Sequence, residues 1–222
     1  MSVWWALAVV DRAPDALPSI DGARVEAFAL GDHATLIAAE LPAMPAAGLD
    51  ALRRHDAAVR TLAEQVPAVL PVRFGAHASE PARLVERLRG REDALHRGLE
   101  RVHGAVQVTV RAMRGPPLVV APVDERDASF GPGARFLRQR ARAPRPPGWD
   151  ALTRALRPHV RAERVDEGDP RVDAWRVYHL VARDGEPAYR TELAHVVALV
   201  PDWQLVAGAS SPPYAFAAEV LS

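Results

Sequence analysis

Residues Ala105–Met113 read AVQVTVRAM, in which Val106, Val108 and Val110 alternate with Gln107, Thr109 and Arg111. A period of two is the signature of a half-buried strand. It follows about a hundred residues already organised into strands and helices, so it predicts that a second module opens here, with a boundary near Gly104. The assignment is residues 1–103 to an N-terminal domain, 104–209 to a C-terminal domain and 210–222 to a tail.

Upstream of that strand, Val3–Val10 is a short apolar run closed by Pro14 and Pro18, the pattern of a buried strand central to the first module. Arg24–Leu30 and the ATLIAA run beginning at Ala34 flank a Gly31-Asp32 turn and predict a hairpin. Leu52, His55, Val59, Leu62 and Val66 recur at spacings of three and four, one stripe of a helix that Pro67 ends. Ala68–Phe74 is a further apolar run ending at Gly75. Ser79-Glu80-Pro81 then begins a helix with Leu84, Leu88, Leu95, Leu99 and Val102 on one face.

Downstream, residues 114–132 show no sustained periodicity and read as a long loop, with GARFLRQRARA helical after it. Trp149–Val160 reads as helix limited by Pro158, Arg171–Ala182 as strand, and Tyr189–Val200 as a helix stopped by Pro201. Trp203–Ala207 is a last strand. The order predicts an α+β protein of two ferredoxin-like modules, antiparallel sheets packed by helices in a βαββαβ arrangement, plus an extended C-terminal tail. The first module is the less regular.

Composition excludes several classes. The 28 basic and 28 acidic residues cancel, so no overall field favours nucleic acid or an anionic membrane. With no cysteine there is no disulfide framework, thiolate nucleophile or cysteine metal site, which suits a cytoplasmic setting. The apolar start MSVWWALAVVDR lacks a basic leader and is broken by Asp11, too early for a signal peptide or a spanning helix. No Gly-x-Ser-x-Gly occurs. The eight histidines show no His-Glu-x-x-His, and Gly131–Phe136 lacks the residues of a phosphate loop. No catalytic residue, cofactor or metal is expected.

A few residues stand out. His55 lies on the apolar stripe of its helix, where burial requires a partner for a ring nitrogen; it suits a core or interface histidine better than a base. Arg73, inside an apolar run, calls for a structural salt bridge or a recognition contact. In SSPPYAFAAEV, Pro212 and Pro213 stiffen a segment carrying Tyr214 and Phe216, which either pack within the molecule or anchor a partner.

An N-terminal aromatic and apolar strand, VEAFALGDHATLIA (Val25–Ala38), the helix with His55, VLPVRFG (Val69–Gly75), GPGARFLRQR (Gly131–Arg140) and the terminal PPYAF (Pro212–Phe216) together resemble the GvpL/GvpF family of gas vesicle proteins over nearly the whole chain. Two departures are visible: Ala76 follows the RFG where members usually carry threonine, and Ala209-Ser210-Ser211 leads into the PPY. The resemblance implies two ferredoxin-like domains with a tail and a non-enzymatic accessory or minor shell-associated role. The implied partner is the hydrophobic gas vesicle structural subunit, with other accessory proteins as further candidates. Location would be the gas vesicle, reached through the cytoplasm during assembly, without nucleic acid or membrane insertion. Arg73, Phe74, Tyr214 and Phe216 are then the candidate contacts, and His55, Pro71, Gly75, Pro212 and Pro213 the candidate structural residues. The competing reading is a small-molecule-sensing regulatory protein built on paired ferredoxin-like domains.

Overall fold

The computed structural model describes residues 2–114, 148–166, 174–200 and 203–221. The sequence-predicted loop at 114–132 beyond Arg114, the helix beginning at Gly133 and the strand start at 171–173 lie outside the described residues. The chain divides into two compact units, residues 1–107 with 210–222, and residues 108–209.

The first unit is organised around strand β1 (Val3–Val10). Its sequence, VWWALAVV, holds no polar side chain, and every residue from Trp4 to Val10 is buried. A strand covered on both faces has no reason to alternate, which is why it reads as one apolar run. On one side it pairs antiparallel with β3 (Thr35–Leu41), which forms a hairpin with the edge strand β2 (Arg24–Ala29). On the other it pairs antiparallel with two short strands in succession, β4 (Val69–Pro71) and β5 (His77–Ala78). The order β2-β3-β1-β4 is that of a βαββαβ sheet. The first crossover, residues 11–23, contains no helix.

Helix α1 (Leu49–Gln65) covers one face of this sheet through Ala51, His55, Ala58, Val59 and Leu62, packed on Trp5, Leu7, Val10 and Ile37. Leu52, assigned to the buried stripe from sequence, is 47% exposed, because the stripe passes through Ala51 instead. The single long helix expected after Pro81 is two, α2 (Pro81–Leu88) and α3 (Glu92–Val102). Gly90 between them takes φ +79°, a left-handed value that breaks the helix and that glycine alone adopts without strain.

The tail is extended only through Pro213 and then forms helix α6 (Tyr214–Leu221), since Tyr-Ala-Phe-Ala-Ala after a proline pair is a good helix start. It packs against α3 and β4, where Gly98 makes the close approach possible. A Cβ on Gly98 would stand 2.9 Å from Val220 Cγ2 and 3.1 Å from Leu70 Cδ1.

The second unit carries most of β6 (Ala105–Arg114), then α4 (Trp149–Leu156), β7 (Val160–Asp166), β8 (Ala174–Ala182), α5 (Glu186–Val196) and β9 (Trp203–Ala207). The sheet order β7-β8-β6-β9 with both helical crossovers is a complete βαββαβ unit. Leu152, Leu156, Tyr189, Leu193 and Val196 of the helices meet Val108, Val110 and Val181 of the sheet. The helix expected to run to Val160 ends at Leu156, followed by a short 3-10 turn over Arg157–His159 around Pro158.

Filling the Gly98 contact tests the packing of α6. Gly98→Leu should destabilise the first unit by about 1–3 kcal/mol through overpacking and speed proteolysis near the C-terminus. Val220→Ala in the same chain should relieve part of the loss. Denaturant unfolding and limited proteolysis read both.

Candidate functional site

The residues singled out from sequence converge on two features of the first unit, a turn on its sheet edge and the docked C-terminal segment. Between β4 and β5 the chain leaves β1 for one turn. The Val72 N–H donates to the Leu7 carbonyl at 2.9 Å and the Ala6 N–H to the Ala76 carbonyl at 2.9 Å, which fixes both ends of the excursion. The Ala76 N–H closes it on the Arg73 carbonyl at 3.3 Å. Gly75 at the third position takes φ +95°, which explains why the RFG triplet ends in glycine. Pro71 closes the β4 pairing and is buried.

Arg73 is therefore on a turn, not within a strand. It is exposed and forms no ion pair among the described residues, so the structural salt bridge expected from sequence is absent there. Phe74 points the other way. Its ring meets Trp5 edge-on at 5.4 Å and His55 edge-on at 5.9 Å, while Trp5 and His55 lie 5.1 Å apart. Edge-to-face rings at these distances add about 0.5–1.5 kcal/mol each beyond simple burial.

His55 is 2% exposed within this cluster. Burial lowers its pKa from the ordinary 6.5, opposed by a hydrogen bond with the Ala6 backbone and by the Asp56 carboxylate. Its Nε2 and the Trp5 Nε1 have no hydrogen-bond partner among the described residues. A neutral imidazole used as a packing ring fits this setting.

The C-terminal segment is clamped from three sides. Ser211 and Gln107 exchange two backbone hydrogen bonds of 2.9 Å. The Gln107 side chain, 4% exposed, accepts the Ala215 N–H through Oε1 at 2.8 Å and so caps the start of α6. Arg60 of α1 pairs with Asp56 at 2.7 Å and donates to the Ser210 carbonyl at 2.9 Å. Arg101 of α3 lies 5.2 Å over the Phe216 ring, and Arg91, just before α3, donates to the Val220 carbonyl at 3.4 Å.

Pro212 and Pro213 are buried and Phe216 is 1% exposed. Tyr214 is half-buried against the α1 side of the core, where burial and the neighbouring Asp56 carboxylate raise its phenol pKa. The structure thus gathers Phe74, His55 and Tyr214 around one core, sets Phe216 against α3, and leaves Arg73 outside. Gln107, Arg60 and Arg101 hold this arrangement and were not singled out from sequence. Gln107 fell on the polar side of an alternating strand, where nothing distinguished it from a solvated residue.

The second unit holds a separate buried polar set. His179 Nδ1 is 2.7 Å from the Tyr189 hydroxyl and Nε2 is 3.3 Å from Glu163 Oε2, Glu163 and His179 being cross-strand partners. Burial pushes the Tyr189 phenol pKa well up. With the phenol donating to Nδ1, the Nε2–H faces the carboxylate and all three groups are satisfied, an internal tie between α5 and the sheet. Among the described residues no group of three or more His, Asp or Glu is placed to hold a metal ion, and no helix is long and apolar enough to cross a membrane.

Two antiparallel sheets packed by helices, the first closed by a C-terminal segment that uses its own aromatic residues internally, define an α+β protein of two units. The family model "Gas vesicle synthesis protein GvpL/GvpF" matches residues 3–218, and the chain belongs to that family. Its fold is shared with the crystal structure of the gas vesicle protein GvpF from Anabaena sp. PCC7120, at TM-score 0.72 and 13% identity over 98% of this chain and 96% of that one. GvpF from Microcystis aeruginosa gives TM-score 0.72 and 15% identity, covering 97% of this chain and 98% of the other. No curated protein matches the chain.

The lowered His55 pKa fixes the sign of a pH effect. The unfolded chain takes up the proton first, so stability is full above the ordinary imidazole pKa and falls as pH drops below 6.5. His55→Phe should flatten the dependence of the denaturation midpoint on pH between about 5 and 7, in the window set by an ordinary His. A parallel, unflattened curve would show that His55 is not the titrating group.

Proposed function

We propose that this chain is a non-catalytic accessory protein of gas vesicle assembly that binds the hydrophobic structural subunit. Membership of a gas vesicle synthesis family across residues 3–218 carries the reading. A shell subunit with an apolar, gas-facing surface aggregates in water unless another protein covers it, so an assembly partner with an accessible apolar surface meets a physical need.

Of the contacts expected from sequence, Phe216 would have to leave its site to touch a partner. Arg73, exposed on the edge turn beside Phe74, needs no such rearrangement. A second accessible surface supports the reading. Pro42–Leu49 reads PAMPAAGL, eight residues without a charge, and ends on Leu49, 61% exposed, with Leu52 next on α1. An exposed apolar run of this kind in a chain with 25% charged residues is the feature a hydrophobic partner would cover. The partner would be met in the cytoplasm during assembly, with the gas vesicle as the place of action and other accessory proteins as further contacts.

The competing small-molecule-sensing reading calls for a metabolite-sized pocket. The cleft beside α3, lined by Asp11, His33 and His96 among others, measures about 180 Å3, against about 300–1,000 Å3 for metabolite pockets.

Co-expression with a gas vesicle structural subunit should yield a complex that co-purifies from the soluble fraction. Leu49→Glu with Leu52→Glu should reduce recovery of the complex while leaving the melting temperature within about 2 °C, since both side chains are exposed. Full recovery of the complex with that double variant would remove the Pro42–Leu52 surface from the interface. Failure of the unaltered chain to co-purify with a soluble subunit would contradict the binding role itself.

A further inference from the structure

An open sheet edge presents a row of backbone donors and acceptors to any strand that can pair with it, and folded proteins shorten, bulge or charge such edges. Among the described residues the other edges are protected in this way. Strands β4 and β5 are three and two residues long. Strand β7 carries four charges in seven positions and a register shift between Val160 and Ala162. Strand β9 has five residues, and its Trp203 N–H is taken by the Val200 carbonyl. Strand β2 has none of these devices: its six residues run in unbroken register with β3 and include no proline. The Leu30 N–H donates to the Ala34 carbonyl at 2.8 Å, and in an antiparallel ladder every second residue aims its backbone groups at the partner strand. Arg24, Glu26 and Phe28 therefore bond to β3, while Val25, Ala27 and Ala29 turn their N–H and C=O groups outward. None of these three makes a further backbone hydrogen bond among the described residues. Ala27 and Ala29 are exposed and Val25 is half-buried, so no bulky side chain obstructs a strand laid alongside.

The charge pattern of the strand selects its occupant. Arg24 and Glu26 pair with each other on one face of β2, so the edge carries no net charge to repel a second copy. Two such edges related by a two-fold axis run antiparallel, and the same patch serves both copies. With the axis at Ala27, Val25 lies opposite Ala29 of the second copy, Glu26 opposite Phe28 and Arg24 opposite Leu30. All three outward residues of each strand then exchange backbone hydrogen bonds, and no like charges stand face to face. An axis at Glu26 opposes two carboxylates, and an axis at Val25 or Phe28 leaves outward residues unpaired. We infer that β2 is the surface through which two copies of this chain pair edge to edge, Ala27 meeting Ala27 across the axis and the two first-unit sheets joining into one. The contact is separate from the Pro42–Leu52 surface, so the dimer stands or falls independently of binding to the structural subunit.

Sedimentation equilibrium of the full chain tests the pairing. The 24.1 kDa monomer should pass to a species of twice that mass as concentration rises. Ala27→Lys and Ala27→Glu each set two like charges opposite one another at the axis and should each weaken the dimer about tenfold or more. An equimolar mixture of the two variants opposes Lys to Glu and should recover the dimer. Ala27 is exposed, so each variant should melt within about 2 °C of the unaltered monomer, which confirms that it folds. Leu49→Glu with Leu52→Glu should dimerise as the unaltered chain does. A chain that stays monomeric up to about 1 mM would overturn the proposal and leave the edge to a strand of another protein. An undiminished dimer in either single variant, or no recovery in the mixture, would overturn it equally.

Discussion

Burial of β1 on both faces is the constraint from which the first unit follows. Seven consecutive buried residues, Trp4–Val10, cannot be covered by one layer of helices. The α1 helix supplies one layer through Ala58, Val59 and Leu62. The other is assembled from short α2 and α3 together with α6, which the chain delivers only after building the whole second unit. At about 25 cal/mol per Å2 of apolar area, the burial of Phe216, Ala217 and the proline pair outweighs what any single hydrogen bond of the clamp contributes. The polar contacts of Gln107, Arg60 and Arg91 fix where the segment lies more than how strongly it holds.

This changes the meaning of the PPYAF motif. Pro212, Pro213 and Phe216 are buried within the first unit, and the helix that follows packs on α3 and β4. The RFG turn has the same logic. Gly75 lets the edge strand step away from β1 and return, Phe74 turns inward onto Trp5 and His55, and the Arg73 side chain is presented to solvent. Among the described residues the two most exposed large apolar side chains, Leu49 and Leu52, stand at the start of α1.

The α+β class, the central first strand and the stripes of α1 and α3 were legible in the sequence because apolar periodicity reports burial directly. Strand β7 was not. Its residues VRAERVD carry four charges in seven positions, and an edge strand with half-exposed faces gives little apolar alternation to read. The break at Gly90 was hidden because Leu84, Leu88, Leu95 and Leu99 keep helical spacing across it. The placement of Arg73 within a strand was misread because Val72 and Phe74 on either side suggested a continuous strand, whereas β4 ends at Pro71 and the chain turns at Gly75. Long-range ties such as Gln107 to Ala215 and Glu163 to His179 to Tyr189 join residues whose meeting depends on topology, and no local pattern announces them.

The most direct test of this account is amide hydrogen exchange compared between the full chain and a chain ending at Ala209. If the C-terminal segment completes the second layer over β1, its removal should sharply reduce protection in β1, β4 and α3 while leaving β8 and α5 as protected as before. Equal protection of β1 and α3 in the two chains would contradict it, and would return Tyr214 and Phe216 to the surface as candidates for partner contact.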